Sequence, residues 1–114
     1  MSNALKPQWF QILLALSQGP MHGSAVMEEV LERTDGKMKL WPATLYGSLR
    51  DLEEAGWINE TAPGPDAPTE GGRRRFYALT PPGEDRLRSE LRRLRDILDV
   101  ARARNLLTDP EIVG

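Results

Sequence analysis

The chain has 114 residues, 15 Lys and Arg against 17 Asp and Glu, a formal net charge of −2, one His and no Cys. That length supports one small domain, and the absence of Cys excludes a disulfide scaffold, an Fe–S cluster, a thiol nucleophile and a cysteine zinc site. The longest apolar run, Ile12 to Leu16, is too short for a membrane span or a signal core, so a soluble, cytoplasmic protein is expected.

Residues 1–6 are short and polar and are expected to form a loose tail. From Pro7 a helical period begins, with Trp9, Leu13 and Leu16 on one stripe, and Gly19-Pro20 ends it. A second helix is predicted from about His22 to Thr34, where Val26 and Val30, and Met27 and Leu31, form i,i+4 pairs. Asp35-Gly36 breaks it. Pro42 opens a third helix whose inward stripe is Leu45, Leu49 and Leu52, and Gly56 stops it.

Two strand-like segments follow, Trp57 to Thr61 and Arg74 to Leu79, flanking a Pro- and Gly-rich stretch from Ala62 to Arg73 that reads as a hairpin tip. Thr80 is the predicted N-cap of a last helix, with Pro81 at its first position. Within that helix Leu87, Leu91, Leu94, Leu98 and Ala101 recur at spacings of 4, 3, 4 and 3, a heptad seam. Leaving those leucines in water would forgo roughly 1.5–3 kcal/mol each, so a second copy of the helix is the expected partner.

The fold class is therefore mostly α with a small β-hairpin: a winged helix-turn-helix over residues 7–80, then a dimerisation helix over 81–106. Residues 107–114 are expected to be a second loose tail.

The third helix carries the most information about function. With its leucines inward, Thr44, Gly47, Ser48 and Asp51 are expected outward, with Tyr46 and Arg50 at the flanks. Such a small, polar face lets a helix enter a major groove, and Lys37 and Lys39 stand just before its N-terminus, where phosphates bind. An ordinary amphipathic helix shows the same face. Arg73, Arg74 and Arg75 at the hairpin base fit a basic wing, and equally an edge strand guarded by charge.

Against catalysis, His22 is the single imidazole and sits at a helix start, where capping or packing is its expected role. No phosphate-binding Gly loop or metal-ligand spacing is present in the sequence, so no enzyme, cofactor or metal is expected. Trp57 reads as core. Trp9, with Leu13 and Leu94, is a candidate wall for an effector pocket near the dimer interface. A protein-interaction module without specific DNA binding is the alternative to a DNA-binding regulator.

These residues resemble a family. Met21-His22-Gly23, Ala43-Thr44-Leu45-Tyr46, Leu52-Glu53-Glu54-Ala55-Gly56-Trp57-Ile58 and Gly71-Gly72-Arg73-Arg74-Arg75-Phe76-Tyr77-Ala78-Leu79-Thr80-Pro81-Pro82-Gly83 are similar to the PadR family of transcriptional regulators, in its short form with one C-terminal helix. The resemblance implies a homodimeric repressor whose third helices enter successive major grooves of a double-stranded operator and whose wings contact flanking DNA. It also implies release by a small-molecule effector. The chain departs from the family pattern in Ser24, where Tyr is common, in Pro42-Ala43, where a pair ending in Gly is more usual, and in Leu94, near which multidrug-responsive short members carry an aromatic residue.

Overall fold

The computed structural model of the protein describes residues 4–62 and 75–107. Its elements run α1 (Pro7–Leu16), β1 (Met21–His22), α2 (Gly23–Arg33), α3 (Pro42–Glu54), β2 (Ile58–Thr61), β3 (Phe76–Leu79) and α4 (Pro81–Ala103). This is the winged-helix order expected from the sequence, with one addition.

α1 starts on Pro7, whose missing N–H costs nothing at a first helical position, and buries Ile12, Leu13, Ala15 and Leu16. Trp9 and Phe10 are only half-buried, so the inward stripe is centred further along the helix than the expected Trp9–Leu13–Leu16 stripe. Leu5, expected in a loose tail, is instead buried in the core. It precedes the N-cap Lys6, the position from which a hydrophobic staple closes a helix start.

α2 is capped by His22, whose Nδ1 accepts the backbone N–H of Ala25 at 3.2 Å, while the His22 ring stands edge-on to Phe76 at 5.5 Å. Val26 and Val30 are wholly buried. The helix closes through Thr34, whose hydroxyl donates to the Val30 carbonyl at 2.7 Å and accepts from the Met38 N–H at 3.0 Å. α3 then begins on Pro42 and turns Leu45, Ser48, Leu49 and Leu52 into the core.

β3 is the central strand of an antiparallel sheet ordered β1-β3-β2, pairing Ile58 with Leu79, Thr61 with Phe76, and Met21 with Tyr77. β1 is the added element. Two residues carry no readable alternation, and Met21 and His22 owe their extended form to the edge of β3 beside them.

The end of α3, both hairpin strands and the start of α4 meet at Thr80. Its N–H donates to the Trp57 carbonyl at 3.1 Å, and its hydroxyl donates to the Gly56 carbonyl at 2.6 Å while accepting the Gly83 N–H at 3.1 Å. Gly83 is buried there, and a Cβ on it would lie 1.9 Å from the Trp57 carbonyl oxygen. Only glycine fits this approach.

The first turns of α4 pack on α1. Leu87, expected in a dimer seam, is buried in the core of its own chain: the seam's first heptad position falls where α4 still lies against α1. One turn on, Glu90 is buried as well. Its carboxylate accepts from Arg93 at 2.5 and 3.1 Å, takes the backbone N–H of Leu5, and lies 4.0 Å from Arg86. The Arg93 hydrogen bond, outweighing burial, holds the Glu90 carboxyl below its usual range. Arg86 in turn covers the Trp57 ring at 5.6 Å, and Trp57 meets Trp9 edge-on at 6.1 Å.

A carboxylate held below its ordinary range adds stability that is full above the unfolded-state pKa of about 4.3 and is lost as pH falls from there through its lower folded-state value. Urea unfolding should show wild type more stable than Glu90→Gln at pH 7, with the gap narrowing as pH is lowered from about 5. A gap that stays constant across that range would deny the ionised carboxylate its role.

Candidate nucleic-acid interface

The buried stripe of α3 decides which of its residues reach solvent. Thr44, Arg50 and Asp51 are exposed, Tyr46 is about half exposed, and the space beside Gly47 is open. Ser48 departs from expectation: it is buried. Positions 45, 48, 49 and 52 form one i, i+3, i+4, i+7 stripe, and the small hydroxyl at 48 takes its inward place within it. Its side chain faces the core, not an approaching ligand.

Ahead of the helix, residues 37–41 alternate. Met38 and Leu40 turn inward, Leu40 fully buried, while Lys37, Lys39 and Trp41 are exposed. Lys39 Nζ stands 4.2 Å from the centre of the Trp41 ring, a cation–π contact. The exposed charge along this surface is graded. Lys37 and Lys39 precede the helix and Arg50 lies in its second half, with Asp51, Glu53 and Glu54 following Arg50 to the helix end.

Tyr46 does more than stand at a flank. A Cβ on Gly23 would lie 2.8 Å from the Tyr46 hydroxyl and 3.1 Å from two ring carbons, so the ring lies across the first residue of α2. The Met-His-Gly and Thr-Leu-Tyr motifs, separate in the sequence, thus meet in one contact. Glycine at position 23 is what admits the tyrosine.

In the wing, Arg75 is exposed, with Nε 3.4 Å from a Glu60 oxygen across the hairpin. It also hydrogen-bonds Tyr77, whose phenol burial nonetheless pushes up. An ion pair this exposed holds Arg75 only weakly. Arg73 and Arg74 lie outside the described residues.

The proposed effector residues separate. Leu13 is wholly buried in the core and offers no pocket wall. Trp9 leans on Trp57, and Leu94 is half-buried on α4. Two recesses do open elsewhere. One, of about 230 Å³, lies among Leu16, Gly19, Pro20, Leu79 and Glu84; another, of about 200 Å³, lies among Met27, Glu28, Leu31, Lys39 and Leu40. Neither includes Trp9, Leu13 or Leu94.

Of the dimer-seam residues beyond Leu87, Leu91 and Leu98 are exposed and Leu94 and Ala101 half-buried, with Ile97 and Val100 exposed beside them. Among the described residues no helix is long and apolar enough to cross a membrane, and no group of three or more His, Cys, Asp or Glu is placed to hold a metal.

Residues 12–89 match the model of the transcriptional regulator PadR-like family, more than half of the chain. The chain belongs to the PadR-like family. Its members are transcriptional regulators rather than enzymes. A PadR family transcription regulator from Clostridium difficile superposes with a TM-score of 0.72 at 26% identity, covering 86% of this chain and 97% of the other. A transcriptional regulator from Clostridium thermocellum gives 0.68 at 23% identity over 84% and 87%. Bacillus subtilis PadR, solved in complex with operator DNA, gives 0.63 at 20% identity over 75% and 47%, a likeness of fold. A 37.1 kDa protein of a Streptomyces fradiae transposon is 35% identical over 79 residues, 69% of this chain, and the chain spans about a fifth of that relative's length. The PadR-like match takes in α2, α3, both hairpin strands and the start of α4.

The Gly23–Tyr46 contact is testable by a double-mutant cycle in urea. Gly23→Ala should cost more stability with Tyr46 present than in a Tyr46→Ala background, with a coupling of about 0.5–3 kcal/mol. Additive effects would mean that the ring does not rest on residue 23.

Proposed function

We propose that the chain is a homodimeric, sequence-specific DNA-binding repressor that a small-molecule effector releases. In this reading α3 enters the major groove N-terminus first, with Lys37, Lys39 and Arg50 on phosphates and Thr44 and Tyr46 toward the bases. Arg73, Arg74 and Arg75 in the wing follow the flanking backbone. Residues 7–80 form the DNA-binding unit and 81–106 the dimerisation helix.

The charge gradient along the exposed side of α3 carries this reading. Lys37 and Lys39 stand just ahead of its leading end, whose first two turns carry no acid, and its trailing end bears Asp51, Glu53 and Glu54. A polyanion is therefore attracted to one end and repelled from the other, which orients the helix as well as binding it. Free backbone N–H groups at a helix start add to the attraction.

Pairing through the distal half of α4 is supported by its uncovered apolar residues, among them Leu91 at 40%, Ile97 at 51% and Leu98 at 43% exposure. A 23-residue helix is about 35 Å long, and α1 covers only its first turns. Burying each such leucine against a second copy is worth roughly 1.5–3 kcal/mol. Leu91, Leu94, Leu98 and Ala101 form the seam. Effector release rests on the family likeness, with Trp9 and Leu94 as the residues nearest in role.

Fluorescence anisotropy on duplex from upstream of the chain's own gene, against a scrambled duplex, tests the DNA reading. Wild type should prefer the natural sequence, and Arg50→Ala should lower the salt slope by about one unit for its lost phosphate contact. Leu98→Asp should sediment as a monomer and bind weakly. Equal affinity for both duplexes, with an unchanged slope, would favour a protein-interaction module instead.

A further inference from the structure

Trp41 is among the most exposed large apolar side chains described, at 61%, and nothing in the charge argument explains it. Its place is fixed from both sides. Leu40 is buried immediately before it, and Pro42 begins α3 immediately after it, so the indole is held outward at the N-cap with extended backbone, φ −73° and ψ 152°. Its side chain does not cap the helix. The Lys39 ammonium over the ring restricts its orientation.

The residues that follow share its character. Pro42, Ala43 and Thr44 are all exposed, so the leading turn of α3 presents an indole, two small apolar groups and a threonine methyl, with the indole N–H and one hydroxyl as its side-chain hydrogen-bonding groups. Such a surface carries no Arg, Asn or Gln side chain to pair two hydrogen bonds with a guanine or adenine edge. It is suited to the one apolar feature of the major groove, the C5-methyl of thymine.

We propose that Trp41 is a specificity-determining residue that reads thymine methyl groups at the leading end of α3, with Ala43 and the Thr44 methyl completing the apolar surface. This rests on the proposed DNA-binding function. The two lysines make the occupant a nucleic acid rather than an apolar protein helix. Lys37 and Lys39 share the outward side of the alternating segment with Trp41, so phosphate attraction and methyl contact act on the same groove wall. The cation–π contact lets Lys39 serve both, orienting the indole while its charge stays in solvent.

The test uses the full chain and a duplex it selects from a random 30-bp pool, in which single thymidines are replaced by deoxyuridine. That change removes the methyl and leaves base pairing intact. Wild type should lose about fourfold in affinity for each contacted methyl, at one or two positions in each half-site. Trp41→Ala should bind more weakly and respond flatly at those same positions, with an unfolding midpoint equal to wild type; Trp41→Phe should recover part of the response. Because the effect is read position by position within each protein, a general loss of folded protein does not imitate it. No sensitive position in wild type, or the same sensitive positions in Trp41→Ala, overturns the role of Trp41 while leaving DNA binding intact. Failure of wild type to select any sequence overturns the DNA-binding reading itself.

Discussion

The close approach of Gly83 to the Trp57 carbonyl, locked by the Thr80 hydroxyl, is the constraint on which the rest of the molecule depends. Gly56 and Trp57 end α3 and lead into β2, Thr80 ends the hairpin, and Gly83 lies in the first turn of α4. One threonine therefore sets the angle between the helix proposed to read DNA and the helix proposed to dimerise. A side chain at position 83 would push α4 away from the strand and release that angle. Below the junction, the Trp9–Trp57 contact, Arg86 over Trp57 and the Glu90 carboxylate on the Leu5 N–H continue the same interface toward α1. α4 leaves the winged helix in a direction fixed by hydrogen bonds and packing together.

Much of this was legible in the sequence where a residue's chemistry had one use. Pro42, the leucine stripe of α3, Gly56, and Thr80 before Pro81 each mark a boundary that appears within a residue or two of its expected place. The misplaced residues have shared causes. Ser48 occupies an inward slot that its polarity disguised, because burial of a small hydroxyl depends on neighbours rather than on its own hydropathy. Leu87 satisfies a heptad repeat that does not distinguish the core of one chain from a seam between two. Leu5 and β1 are too short for periodicity and are set by the elements beside them.

The candidate interface was legible in a different measure. Its charges, Lys37, Lys39, Arg50 and Arg75, stand exposed as expected, whereas the relation of Tyr46 to Gly23 needed coordinates. The motif spacing holds both residues without saying that they touch. Nothing in the sequence marks Trp41 as outward-facing; the inward turn of Leu40 beside it holds the indole in solvent. The net charge of −2 concealed a polar gradient, with acids on α2 and the end of α3 and bases ahead of α3. For association with a polyanion, that distribution matters more than the sum.

If two copies pair through α4, the junction at Thr80 gives their α3 helices a fixed separation and phase along the duplex. The most direct test is affinity for a selected operator whose two half-sites are moved apart by about 5 bp, half a helical turn, which turns one half-site to the opposite side of the DNA. The account predicts that binding falls to the level of a single half-site. Undiminished affinity for the lengthened operator would contradict it.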